Sequence, residues 1–191
     1  MITSIDAWFV RWQVRLLLLA GQQRQALARV DQLLADQPLE PYALATRAQL
    51  LTNMGDKPAA ILTLERLVQA QPAQAAGWYN LGYLCEEEGR LEQAEAAFRL
   101  ATEIEPDLDR AWYGLGLSLI RQRHFDEAIV ALRKNTELQP MSPYGWYQLA
   151  RVHVDRQEPD EAAKIIRHLR KFEPKVAAQL ERETGLGAAL T

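Results

Sequence analysis

The chain has 191 residues, of which 48% are hydrophobic and 25% charged, so it can bury the core of one or two globular domains. Its formal charge of −3 argues against sequence-independent binding of nucleic acid, which requires a strongly basic surface. A single cysteine, Cys85, excludes an intrachain disulfide and a cysteine-rich zinc site.

The first predicted element is an apolar helix near the amino terminus. The run LLLLA at 16–20 is too short to span a bilayer, and arginines interrupt the apolar stretch that a signal peptide would need. The helix has almost no polar face and no preceding element to cover it. It could be covered by a second copy, by a partner, by an interfacial membrane contact, or by residues 1–6 folded back. The contact residues predicted for a partner or a second copy are Trp8, Phe9, Arg11, Trp12 and Arg15.

Prolines then recur every 34 residues, and an alanine stands twelve residues before each of them. Apolar residues follow helical spacing in two blocks within each unit, which predicts a helix hairpin. A glycine at the fifteenth position suits a left-handed helix end in the first three units, and the recurring proline is expected to stop the second helix. The predicted repeats are 7–40, 41–74, 75–108, 109–142 and 143–176, with the prolines at Pro38, Pro72, Pro106, Pro140 and Pro174.

The third repeat carries a recognisable motif. The segment GWYNLGYL begins at Gly77, and looser copies begin at Ala111 and Gly145. With the later Ala94, Phe98 and Pro106, this resembles the tetratricopeptide repeat (TPR) family, whose pattern is W-x₂-L-G-x₂-Y, then A-x₃-F, then P. The first two repeats depart from it, because Val10 and Leu44 replace the Trp and Gln13 and Arg47 replace the Leu.

The resemblance covers residues 7–176 and implies an all-α fold, a right-handed α-solenoid of five TPR helix hairpins. After Pro174, the stretch VAAQLERETG predicts a capping helix at 177–185 that ends at Gly185. Residues 186–191 are expected to form a disordered tail.

In the TPR family the first helix of each hairpin lines a concave groove, and this implies a peptide-binding surface here. Tyrosine and arginine dominate binding hot spots, since they offer large contact areas and polar tips. Tyr42, Tyr83 and Tyr144 are the stronger expected contacts, whereas the other three tyrosines could equally pack against neighbouring helices. The predicted peptide-binding residues are Tyr42, Gln49, Tyr79, Asn80, Tyr83, Arg110, Tyr113, Arg121, Tyr144, Tyr147 and Arg151.

No catalytic motif or metal-ligand spacing stands out. The three histidines, His124, His153 and His168, are scattered, so we expect no enzyme activity and no cofactor. We expect a cytoplasmic scaffold, an adaptor or chaperone, that binds a peptide segment of another protein. The alternative is a structural assembly subunit that oligomerises or docks through the apolar first helix. Nucleic acid is not expected as a partner, and membrane contact ranks below a protein partner.

Overall fold

The protein is all-α, as expected. A computed structural model describes residues 4–186, with side chains from Trp8 onward. Between these limits eleven helices follow one another through short loops. They are α1 (Ser4–Leu19), α2 (Gln23–Asp36), α3 (Pro41–Asn53), α4 (Lys57–Ala70), α5 (Ala75–Glu87), α6 (Leu91–Ile104), α7 (Asp109–Arg121), α8 (Phe125–Leu138), α9 (Pro143–Asp155), α10 (Pro159–Arg170) and α11 (Pro174–Thr184).

The helices pack into two compact units, Met1–Gly89 and Arg90–Thr191. In the first unit α1, α2, α3 and α4 each pack against the next helix in the chain. In the second unit α6–α10 do the same, and α9 also contacts both α7 and α11. The first helices of successive hairpins therefore lie side by side in the second unit, with α11 in the place of a further one.

The first helix of each hairpin ends in a left-handed residue. Gly21, Gly55 and Gly89 have φ values of 72°, 84° and 74°. The fourth and fifth repeats keep the same geometry without glycine, since Arg123 and Gln157 have φ values of 63° and 62°. The hairpin connection therefore fixes this backbone conformation even where the residue type opposes it.

Prolines mark helix ends, with one exception to the predicted roles. Pro41 and Pro143 open α3 and α9, as expected from their fixed φ. Pro174 was expected to stop the second helix of the fifth repeat, but α10 already ends at Arg170 and Pro174 opens α11. The capping helix therefore spans Pro174–Thr184 and not 177–185, and Gly185 (φ 71°) caps it in the left-handed conformation. Of the predicted tail, residues 187–191 lie outside the described part of the chain.

Small residues allow close helix crossings within the hairpins. A methyl group added at Gly116 of α7 would lie 2.8 Å from Leu132 of α8, so the two helices meet without room for a larger side chain. The alanines that stand twelve residues before the recurring prolines are fully buried, so a larger side chain there would have no free space: Ala26, Ala60, Ala94, Ala128 and Ala162.

Polar contacts replace the missing leucine in the first two repeats. The Nε of Arg29 donates a hydrogen bond to the side-chain oxygen of Gln13, at 2.8 Å. Arg47 bonds Asp31 at 2.7 Å and the hydroxyl of Thr63 at 2.5 Å. These bonds join neighbouring helices of the first unit where apolar packing does so elsewhere.

The repeated tryptophans of the third to fifth repeats do more than fill space. All three are half-buried, and each indole N–H donates a hydrogen bond to the carbonyl of the proline six residues earlier, at 2.9 Å. The bond satisfies the polar end of an otherwise apolar ring and holds the loop onto the first turn of the following helix. The pairs are Trp78 with Pro72, Trp112 with Pro106, and Trp146 with Pro140.

Candidate peptide-binding surfaces

A pocket of about 290 Å³ lies in the first unit, between helices α3 and α5. Its floor is apolar and includes two leucines of α4. Its walls carry hydroxyl and carboxamide groups. The lining residues are Ala45, Ala48, Gln49, Thr52, Leu64, Leu67, Tyr79, Asn80, Tyr83 and Leu84.

The polar groups around this pocket are oriented by local hydrogen bonds. The amide of Gln49 donates to Asn53 at 2.8 Å, and the hydroxyl of Tyr83 donates to Glu87 at 2.9 Å. The bond to Glu87, assisted by burial, raises the pKa of Tyr83, so its ring keeps a neutral hydroxyl. Asn80 is exposed at the rim. The wall can thus donate to and accept from a polypeptide backbone, while the floor can accept an aliphatic side chain.

Four of the predicted peptide-binding residues meet at this pocket: Gln49, Tyr79, Asn80 and Tyr83. Sequence reasoning missed its floor, because the family's groove positions lie on first helices whereas Leu64 and Leu67 come from α4. Both leucines are buried, and their apolar spacing predicts only that they belong to the core.

Tyr42 does not line this pocket. The guanidinium of Arg11 lies 5.2 Å from the centre of its ring, and its hydroxyl donates to the backbone carbonyl of Arg11 at 3.4 Å. Arg11 also bonds Glu40 at 2.5 Å, and Glu40 accepts a hydrogen bond from the backbone of Ala43 as the N-cap of α3. The Glu40 side chain is only 5% exposed, so Arg11 neutralises a buried carboxylate. Both Arg11 and Tyr42 therefore have contacts inside the unit.

In the second unit the predicted residues lie on α7 and α9. Arg110 and Arg121 are exposed on α7, and Tyr144 is 69% exposed at the start of α9. Tyr113 and Tyr147 are half-buried and pack against the core of this unit. Tyr113 and Tyr147 thus use part of their ring surface for packing, and Tyr144 has the greater exposed surface.

Tyr147 contacts α11 of the same chain. Its hydroxyl donates to Glu183 of α11 at 2.5 Å, and the guanidinium of Arg151 lies 5.9 Å from its ring centre. The hydrogen bond raises the pKa of Tyr147 and, together with a bond from Gln179, lowers the pKa of Glu183. A cleft of about 260 Å³ remains between α9 and α11, with Arg151 and Asp155 on its walls.

The histidines lie in separate contacts. His153 is 4% exposed and its Nδ1 lies 2.7 Å from a carboxylate oxygen of Glu158. The ring of His168 lies 4.5 Å from that of Trp146 and 5.5 Å from that of Phe172, measured between centres. Within the described part of the chain, no group of three His, Cys, Asp or Glu side chains could hold a metal ion.

A third surface lies on α1. Val10 and Val14 are buried, while large apolar side chains on another side of the helix are exposed. The alternative in which residues 1–6 fold back over the helix is wrong for residues 4–6, which continue α1. None of the described helices is long and apolar enough to cross a bilayer. We call the exposed set the α1 apolar face: Trp8, Phe9, Trp12, Leu16 and Leu19.

Comparison with known proteins identifies the family. The sequence matches the tetratricopeptide repeat model over residues 13–72, 45–109 and 113–176. No curated protein matches it significantly. A solved structure of MamA is 20% identical, covers 90% of each chain and superposes with a TM-score of 0.77. MamA (41-end) from Desulfovibrio magneticus RS-1 is 21% identical over 93% of this chain and 96% of its own, with a TM-score of 0.76. YrrB, described as a TPR protein with an unusual peptide-binding site, is 18% identical over 88% of each chain, with a TM-score of 0.80.

These likenesses at low identity concern the fold, whereas the family match covers most of the sequence itself. TPR proteins bind other proteins or peptides and are typically interaction scaffolds without catalytic activity. The chain belongs to the tetratricopeptide repeat family and has its all-α solenoid fold.

Proposed function

We propose that the protein is a non-enzymatic scaffold that binds an extended peptide segment of a partner protein, and that the pocket between α3 and α5 receives one side chain of that segment. The observation that carries this proposal is the pocket itself. It combines an apolar floor with carboxamide groups at its rim, in a volume of about 290 Å³.

The chemistry of the rim favours an extended backbone. In an extended chain successive side chains point to opposite sides, so one residue can enter the pocket while its neighbours face solvent. Gln49 and Asn80 then lie where their side chains can donate to and accept from the peptide groups on either side. Tyr83, which is 45% exposed, adds ring surface with few rotatable bonds. Within the second unit, Tyr144 is 69% exposed and offers ring surface for a separate peptide contact.

A pocket-filling variant tests the proposal. Ala45 lines the pocket and is exposed, so Ala45→Trp should fill it without disturbing the core. Peptides selected from a random library on the wild-type protein should bind Ala45→Trp at least tenfold more weakly by fluorescence anisotropy. Asn80→Ala should lose about fivefold, the equivalent of one net hydrogen bond.

Ala96→Trp is the matched control, because Ala96 is exposed on α6 and does not line this pocket. It should bind the selected peptides as the wild type does. Unchanged peptide affinity in Ala45→Trp, with both variants folded by circular dichroism, would contradict the proposal.

We further propose an adaptor or chaperone role in the cytoplasm, supported by the binding properties of the family and by a composition that excludes an internal disulfide.

A second candidate function is favoured by the α1 apolar face. The protein would then be an assembly subunit that docks through α1, with the pocket secondary to that contact. Five large apolar side chains exposed on one helix form a patch that soluble monomers rarely leave in contact with water.

A further inference from the structure

We propose that the α1 apolar face binds the interfacial region of an anionic lipid bilayer, so that α1 lies in the membrane surface. This inference rests on the second candidate function, docking through α1, and commits it to one occupant. From the sequence alone, a protein partner is expected at α1 before a membrane. The exposed side chains of α1 and the charges beside them favour the membrane at this face.

The shape of the face suits immersion along its whole length. Trp8, Trp12, Leu16 and Leu19 follow one another at intervals of four, four and three residues, so they form one stripe along the helix, and Phe9 lies beside it. Their exposed fractions are 66%, 49%, 45% and 85%, and that of Phe9 is 48%. The rings of Phe9 and Trp12 stack with centres 6.3 Å apart, so part of the face is already ordered.

The charges beside the face complement an anionic surface. Asp6 is the one acidic residue of α1, and the following residues 8–30 contain four arginines and no Asp or Glu, although the whole chain has a net charge of −3. By helical spacing, Arg11 and Arg15 border one edge of the stripe, and Gln13, bonded by Arg29 at 2.8 Å, borders the other. The Arg11 charge is shared with Glu40, so Arg15 and Arg29 are the main cations. Aromatic and aliphatic residues on one side of a helix with arginines beside them are typical of helices that lie in the headgroup region.

A second copy of the chain fits the same face less well. If each large side chain has a full area of about 200 Å², the five side chains of the face expose on the order of 600 Å² together. This area is below the roughly 800 Å² that each partner buries in a standard protein interface. An antiparallel two-fold pairing would also bring the Arg11 and Arg15 edge against its own copy. A bilayer has no such requirement, because immersion by about 5–10 Å covers the side chains without a complementary shape.

Vesicle sedimentation with the full chain tests the inference. The protein should sediment with vesicles of phosphatidylcholine and phosphatidylglycerol in equal amounts, and much less with phosphatidylcholine alone. Added salt should weaken the binding, and Arg15→Gln should lower it about fivefold. The double variant Trp8→Gln, Trp12→Gln should lose binding. The control Leu62→Gln, Val130→Gln, which changes two side chains that are 60% and 66% exposed on other helices, should keep it.

Each other outcome decides against the inference. Wild-type protein that does not bind anionic vesicles overturns it, as does equal loss of binding in the control. A dimer without vesicles that dissociates in the Trp8, Trp12 variant would assign the face to a second copy, which overturns the lipid inference but keeps docking through α1. Wild-type protein that is monomeric and does not bind vesicles would overturn both the lipid inference and docking through α1. Leu19→Glu, at a side chain 85% exposed, repeats the test should circular dichroism show that the double variant is misfolded.

Discussion

The left-handed residue Gln157 offers a quantitative test of how the hairpin connection controls the fold. The turn after α9 has the same backbone hydrogen bonds as the turn after α3. Gln157 N–H donates to Val154 at 2.9 Å and Glu158 N–H to His153 at 2.8 Å, while Gly55 and Asp56 donate to the equivalent carbonyls at 3.0 and 2.9 Å. Replacing Gln157 by glycine therefore changes the residue and leaves the bonding pattern intact.

The expected gain follows from two opposing terms. A non-glycine residue in the left-handed conformation costs about 1–2 kcal/mol, and glycine adds roughly 0.5–1 kcal/mol of chain entropy to the unfolded state. Gln157→Gly should therefore raise the free energy of unfolding by about 0.5–1 kcal/mol. Arg123→Gly should gain less, because it also removes the contact between the Arg123 guanidinium and the Phe125 ring, 5.7 Å away.

Urea unfolding followed by far-ultraviolet circular dichroism measures the change. The reverse substitution, Gly55→Ala, is the matched control: Gly55 has φ 84°, and an added Cβ would meet no atom within 4 Å. It should lower the free energy of unfolding by about 1 kcal/mol through backbone strain alone. A loss of stability in Gln157→Gly, as for glycine inside a helix, would refute the reasoning.

Three further substitutions probe other contacts. The buried hydroxyl of Ser118 has no hydrogen-bond partner among the described residues. Ser118→Ala should therefore leave the free energy of unfolding in urea unchanged or raise it by about 1 kcal/mol. A clear fall in that free energy would contradict this expectation. Gly145→Ala would place a methyl group 2.1 Å from the side chain of Asn135, whose amide donates a hydrogen bond to a backbone carbonyl. The substitution should lower the free energy of unfolding by about 2–3 kcal/mol. The loss should be smaller in an Asn135→Ala background if the clash is its cause. Because the bond from Tyr147 lowers the pKa of Glu183, docking of α11 should be strongest at neutral pH and weaken as the pH falls through that lowered pKa. Hydrogen exchange of α11 should show this dependence in the wild type and a weaker one in Tyr147→Phe; equal profiles would exclude the bond as its source.

The fold was predictable because its determinants repeat. The 34-residue spacing and the Trp motif occur several times, so each unit supports the interpretation of the others, and the family match confirms it. Where a residue departs from the pattern, the surrounding packing decides the outcome. Arg47 takes the place of a leucine because Asp31 and Thr63 lie within reach on the neighbouring helices, and no local pattern indicates those partners.

The candidate site was predictable only in part. Family positions on first helices placed Asn80 and Tyr83 at the pocket, because helical periodicity fixes which side of a helix they occupy. They did not indicate that Leu64 would form its floor or that Glu183 would bond Tyr147. Both contacts join residues far apart in the sequence, and the second depends on where α11 packs.

The position of α11 bears on how such a chain could grow. Its apolar residues Ala177 and Leu180 are fully covered, whereas Gln179, Arg182 and Glu183 face water. A further hairpin packed on this side of α11 would therefore bury little apolar surface. Duplication of an internal 34-residue segment would instead give each new hairpin the apolar neighbours that its repeat already has, so the array should lengthen more easily by internal duplication than by packing on α11.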